Sequence, residues 1–154
     1  MDHFDSTCIT RLCNALHSIE EDALPRWGTL TKSAMINHFI WMIRHSMGRS
    51  FLVPDYSTFL SRTLSKKLVL SGVRALPKNR SLPAHLCKQG ISDQETGDLE
   101  TLQALMEEYL DLVQTGDLEP APHPRYGRLT IDEWDRLHML HFEHHLQQFN
   151  RSMR

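Results

Sequence analysis

Thr130-Ile131-Asp132-Glu133-Trp134-Asp135-Arg136-Leu137-His138-Met139-Leu140-His141-Phe142-Glu143-His144-His145-Leu146-Gln147-Gln148-Phe149 is the stretch on which the fold and the chemistry of this chain turn. It contains no helix breaker, and its first residues have the spacing of a capping box. Thr130 can accept from the backbone N–H three residues on, while Glu133 reaches back to the cap's own N–H. At about 100° per residue, Trp134, His138, His141, His145 and Gln148 fall on one side of the predicted helix. His144 lies toward the flank, and Phe142 and Leu146 face the other side. Four of the chain's ten histidines occur within eight residues here. An i, i+4 pair such as His141 and His145 has the spacing that lets two imidazoles converge on one metal ion.

Upstream, the pattern is helical wherever it is regular. Leu118 to Tyr126 is a proline-rich connection that delivers His123-Pro124-Arg125-Tyr126-Gly127 to the start of the final helix. Before it, Asp98 caps a predicted helix over Leu99 to about Thr115, closed by Gly116. Leu102, Leu105, Met106, Tyr109, Leu112 and Val113 form its apolar stripe, with Glu108 at the edge. Gly72 to Gly97 reads as a long irregular crossover carrying His85 and Cys87. A loop of this length is either a plain connector or a functional cover for a site. Ser57 to Leu70 reads as a modest helix with Phe59, Leu60 and Leu64 inward.

Nearer the N-terminus, Thr31 caps a second long helix, Lys32 to about Met47, with Gly48 just past its end. Met35, Ile36, His38, Phe39, Met42, Ile43 and His45 make it apolar over most of its circumference, which marks it as central. Asp5 or Ser6 caps a first helix predicted to run to about Glu21, with Pro25 beyond it. Ile9, Leu12, Leu16 and Ile19 supply its inner face. Trp27 then folds back over the core. No strand pattern of useful length and no internal repeat occur. Four principal amphipathic helices predict an all-α antiparallel helical bundle with one long crossover, as a single domain over 1–154.

Composition excludes several functions. The 154 residues carry 17 Lys and Arg against 19 Asp and Glu, a formal charge of −2. There is no basic stripe with which to contact phosphates along a nucleic acid, so no nucleic-acid partner is expected. The apolar run from Met35 to Met47 is interrupted by Asn37, His38, Arg44 and His45, so no membrane span is expected. Met1 to Asp5 offers neither a basic nor an apolar leader region. Cys8, Cys13 and Cys87, odd in number and without a CxxC spacing, suit reduced thiols in a cytoplasmic protein.

A single histidine on an apolar helix face, as His38 is, reads first as a core residue bonded to a neighbour. The last helix shifts that balance. Three inward imidazoles are costly to bury unless they find partners or a cation, and a bundle can bring the second helix against the last. His38 then adds a third nitrogen to His141 and His145, leaving a coordination position open, as catalytic zinc sites do. A solvent-facing histidine cluster is the competing reading, and Trp134 and Leu137 on the same face speak against it.

Two blocks of sequence carry a family resemblance. Trp27-Gly28-Thr29-Leu30-Thr31-Lys32-Ser33-Ala34-Met35-Ile36-Asn37-His38 resembles the approach to the second helix of DinB/YfiT-like proteins. The C-terminal block is similar to that of a mostly bacterial branch of the superfamily: His123-Pro124-Arg125-Tyr126-Gly127-Arg128-Leu129-Thr130, then Trp134, then His141-Phe142-Glu143-His144-His145 and Gln148-Phe149. Leu76-Pro77-Lys78-Asn79 is also similar, and Arg125 departs from the branch, which tends to place a second aromatic there. The resemblance implies a DinB-like four-helix bundle with a divalent metal, zinc or nickel, held by His38, His141 and His145. It further implies an enzyme that transfers a low-molecular-weight thiol or hydrolyses a small-molecule substrate. His138 and His123 are candidates for orienting a ligand or acting as general base. The other expectation is a non-catalytic helical protein that binds or forms a homodimer, with a vestigial histidine site.

Overall fold

A computed structural model describes residues 4–49, 55–78 and 96–154. Among them the regular structure is helical, and the expected all-α class holds. The helices are α1 (Ser6–His17), α2 (Lys32–Ser46), α3 (Lys66–Leu70), α4 (Leu99–Thr115) and α5 (Ile131–Gln148). A wide turn of π-helix, Ser61–Ser65, leads into α3. An isolated bridge pairs His123 with Gly127.

Each long helix starts where a short polar side chain can take up a free backbone N–H. Asp5 accepts from Cys8 N at 2.8 Å, Thr31 from Ala34 N at 3.1 Å and Asp98 from Thr101 N at 2.8 Å. The capping box of α5 is complete, Thr130 Oγ1 accepting from Glu133 N and Glu133 Oε2 from Thr130 N. At the end of α2, Gly48 takes φ +70°. Its N–H reaches the His45 carbonyl at 2.9 Å and that of Arg49 the Arg44 carbonyl at 2.9 Å, which closes a Schellman motif.

Two expectations need correction. The first helix stops at His17, well short of Glu21. Ser18 turns its hydroxyl onto the Ala15 carbonyl, and the Arg151 guanidinium takes up the Ser18 carbonyl, so the last turn is satisfied without continuing. Lys32, buried at the start of α2, then holds the following turn by donating to the Ile19 carbonyl at 2.8 Å and to Glu21 at 2.6 Å. The second correction concerns the face of the 57–70 segment. Phe59, Leu60 and Leu64 are 83%, 59% and 55% exposed, while Ser61 and Val69 point inward. Ser61 Oγ donates to the Arg125 carbonyl at 2.7 Å, and the π turn that follows rotates the later residues away from the simple 3.6-residue stripe.

The four long helices enclose one core. α4 packs on α1 and α2, and α5 packs on α1, α2 and α3. Leu12, Leu16, Met35, Phe39, Ile40, Ile43, Leu102, Met106, Tyr109, Phe142 and Leu146 are fully buried in it. A smaller apolar group, Met42, Val69, Tyr126, Leu129, Trp134 and Leu137, joins α3 and the 121–130 connection to the other side of α5. The last helix is therefore buried on two sides. None of the described helices is long and apolar enough to cross a membrane. The Gly72–Gly97 crossover lies mostly outside the described residues, as do His85 and Cys87.

Candidate metal centre

α2 and α5 touch, and His38 on the first meets His141 and His145 on the second. His38 Nε2 lies 3.0 Å from His141 Nε2, which in turn lies 3.0 Å from His145 Nε2. The three ligand atoms all fall within 4.8 Å of one another. His141 is only 9% exposed, and His38 and His145 are half-buried. Phe39 stands edge-on to both His141 and His145, and the Trp41 indole stacks on His38.

The proton of His145 is placed by a chain of polar contacts behind its ring. Gln148 Nε2 donates to the Trp27 carbonyl at 3.1 Å, which turns Gln148 Oε1 toward His145 Nδ1 at 2.6 Å. A carbonyl oxygen only accepts, so Nδ1 carries the proton and Nε2 of the neutral ring presents a lone pair to the cluster. Burial is the main force on all three rings. It lowers His38 to a pKa of about 3, with His145 adding to the effect, and holds His141 well below its ordinary value, with His145 and His38 adding. It lowers His145 to about 4, opposed by the Gln148 hydrogen bond and helped by His144.

This donor set fits a divalent ion. A single proton on His141 Nε2 can bridge to only one of its two 3.0 Å neighbours, so hydrogen bonding alone leaves one close nitrogen pair unsatisfied. Nitrogens bound about 2.0–2.1 Å from one tetrahedral ion sit roughly 3.3 Å apart, close to the 3.0 Å spacing of the two pairs that share His141. Three such histidines can hold a metal ion.

The other nominated histidines go elsewhere. His138 is fully buried, and its Nε2 lies 3.0 Å from Ser46 Oγ, whose own hydrogen points to the Ile43 carbonyl. The ring therefore donates to Ser46 and stacks between Trp134 and Phe142. His123 Nδ1 accepts from the backbone N–H of Arg125 and Tyr126 at 3.1 and 3.2 Å, so this ring shapes its own turn. His45 donates to the Pro122 carbonyl at 3.1 Å. These three rings surround Trp134, whose Nε1 donates to the Ala121 carbonyl at 3.0 Å. Neither His138 nor His123 hydrogen-bonds to the three-nitrogen cluster. His144 packs its edge against Trp27, over which the Lys78 ammonium sits at 4.3 Å. Glu108 pairs with Arg49 and orients no imidazole. Gln148 is the functional residue that sequence reasoning left without a role. Its place three residues after His145 was the available signal, since i, i+3 side chains meet on a helix.

A family profile described as "Protein of unknown function (DUF1569)" matches residues 3–152, and the chain belongs to that family. Neither the curated proteins nor the solved structures contain a match.

Proposed function

We propose that this DUF1569 chain is a metal-dependent enzyme of the DinB-like kind, in which His38, His141 and His145 hold one divalent ion for thiol-transfer or hydrolytic chemistry. The observation that carries this reading is the meeting of three neutral Nε2 atoms at 3.0 Å contacts, with the back of His145 fixed by Gln148. Zinc and nickel suit imidazole donors. Bound there, either would supply Lewis-acid chemistry, making a water or a small thiol more acidic at neutral pH.

The chain's own part is positioning. Gln148 keeps the His145 proton on Nδ1, so that Nε2 stays a donor. Phe39 and Trp41 wall the cluster with aromatic surface, which keeps water from competing on those sides and holds the imidazoles neutral. Among the described cysteines, Cys8 is buried and donates to the Met139 thioether, and Cys13, half-buried on α1, has its thiol pKa raised by burial and by Glu107. Neither of these two is placed as a nucleophile for this site, and the proposal assigns the reacting thiol in the transferase version to a small-molecule substrate. His138 and His123 serve packing and turn geometry in this proposal. An odd cysteine count supports a cytoplasmic setting.

Elemental analysis of protein purified without an affinity tag tests the proposal. One equivalent of metal is expected in the parent chain and none in the His141→Ala/His145→Ala variant. Equal metal in both would sink the assignment.

A second reading, a non-catalytic binding or dimerising protein with a vestigial histidine site, is favoured by the exposed Phe59, Leu60 and Leu64. It is supported instead if the parent chain neither holds metal nor gains it from zinc or nickel, and sediments as a dimer that Phe59→Ser converts to monomer.

A further inference from the structure

Beside the loop that carries His123 and Tyr126 the chain gathers positive charge that its overall balance of −2 does not predict. Asp55, Arg62, Lys66, Pro122, Tyr126 and Arg128 line a cleft of about 340 Å³. None of them belongs to the three-histidine centre. We propose that this cleft is a binding site for the phosphate group of a small molecule.

The walls are fixed from both sides. Tyr56 N donates to the Pro124 carbonyl at 2.9 Å, and Ser61 Oγ donates to the Arg125 carbonyl at 2.7 Å. Those bonds tie the segment before α3 to the 121–128 connection. Gly127, at φ +69°, has no Cβ, and the Arg62 side chain lies 3.2 Å from where one would stand. The guanidinium is thus laid along the loop at a position any other residue would obstruct.

The existing ion pairs do not use up the cations. Arg62 Nε donates to Ser57 Oγ at 2.6 Å and Nη2 to Asp55 at 3.1 Å, leaving Nη1 without a partner among the described residues. Lys66 lies 2.9 Å from Glu133 Oε1 and is only 19% exposed along its side chain, so its head is held in place. The other oxygen of Glu133 is already occupied by Thr130 N in the capping box. Arg128 makes no ion pair or hydrogen bond among the described residues. Three cations face two committed carboxylates, with N–H donors to spare on a planar fork and on an ammonium. A tetrahedral dianion offers the acceptor oxygens such donors match. The volume of the cleft leaves room for a modest organic body beside it.

The test is a titration of the full-length protein with inorganic phosphate and, separately, phenyl phosphate at low ionic strength. It is followed by amide chemical shifts and repeated on Arg128→Glu and His141→Ala. Arg128 is exposed, so its reversal leaves the fold intact, which an unchanged far-UV spectrum confirms. Shifts are expected at Ser61 to Lys66 and Ala121 to Arg128, with affinity reduced about tenfold or more in Arg128→Glu and unaltered in His141→Ala. The tighter of the two probes tells free phosphate from a phosphate ester. No shift by about 10 mM ligand, where even a millimolar site would be filled, overturns the proposal. So does binding that survives Arg128→Glu. Binding lost in His141→Ala overturns it as well, by placing the anion at the metal centre.

Discussion

Gln148 Oε1 accepts the Nδ1 proton of His145 at 2.6 Å, and the same amide donates to the Trp27 carbonyl at 3.1 Å. One side chain thereby ties the segment before α2 to the face of α5 that carries His141 and His145. It also sets the tautomer of His145, the one ring of the three clustered histidines whose proton position is settled by its contacts. Imidazoles held in this way bind metal more tightly because ring orientation and proton position are settled in advance.

Gln148→Leu should keep the helix, since leucine is a good helix former and the site is buried. The His145 ring, freed to rotate and to place its proton on Nε2, should lose affinity for zinc by about 10- to 100-fold. Competition against a chromophoric chelator measures this directly. Unaltered affinity would mean that the amide plays no part in ordering the ring.

The pH response should be one-sided. Burial, with help from His45, pushes His138 down to about 3, and burial with His45 and His138 beside it pushes His123 to about 3, from an ordinary value of 6.5. Because the folded values are depressed, the unfolded chain binds more protons between pH 6.5 and about 3. The stabilising contribution is complete above 6.5 and drains away as the pH falls toward 3, by at most about 1.4 kcal/mol per pH unit for each histidine. Thermal melts of the metal-free chain should be flat from about pH 8 to 7 and fall steadily below 6.5. A melting temperature held constant down to about pH 5 would show that these rings are charged or exposed.

How far the sequence carried can be judged residue by residue. The helices α2, α4 and α5 were legible because caps and periodicity are local: Thr31, Asp98 and the Thr130–Glu133 pair each sit beside the backbone groups they satisfy. The approach of His141 to His145 is likewise a matter of one helical turn. The contact of Gln148 with His145 was legible as an i, i+3 spacing, but the direction of its amide was not, because a carbonyl 121 positions away sets it. The end of α1 depends on Arg151, 133 positions from Ser18. The 57–70 face was misread because Leu60 and Leu64 match a helical stripe by spacing, while a hydroxyl-to-carbonyl contact and a π turn decide the rotation.

That misread face can be checked by substitution. Leu64 is 55% exposed and Val69 only 3%. Leu64→Ser should therefore change stability by no more than about 0.5 kcal/mol. Val69→Ser, which strips an apolar side chain from the packing around Trp134 and Leu137, should cost about 2 kcal/mol or more. Urea denaturation of the two variants separates the cases, and equal losses would restore the inward reading of Leu64.

Gly127 closes the loop that feeds α5. Its φ of +69° is a left-handed conformation, and a Cβ there would stand 3.2 Å from Arg62 Nε and 3.3 Å from Cγ. Alanine at this position meets two costs that add: roughly 1 kcal/mol for the left-handed backbone, and a smaller one for displacing a flexible arginine. The His123–Gly127 bridge, closed by a pair of 2.8 Å hydrogen bonds, resists a change of backbone that would relieve the strain. Gly127→Ala should thus lower stability by about 1–2 kcal/mol without altering metal content, since none of the three clustered histidines lies on this loop. Asparagine tolerates the left-handed region better, so Gly127→Asn should recover part of the loss if the backbone is the main cost. Equal losses for the two variants would instead assign the cost to the contact with Arg62.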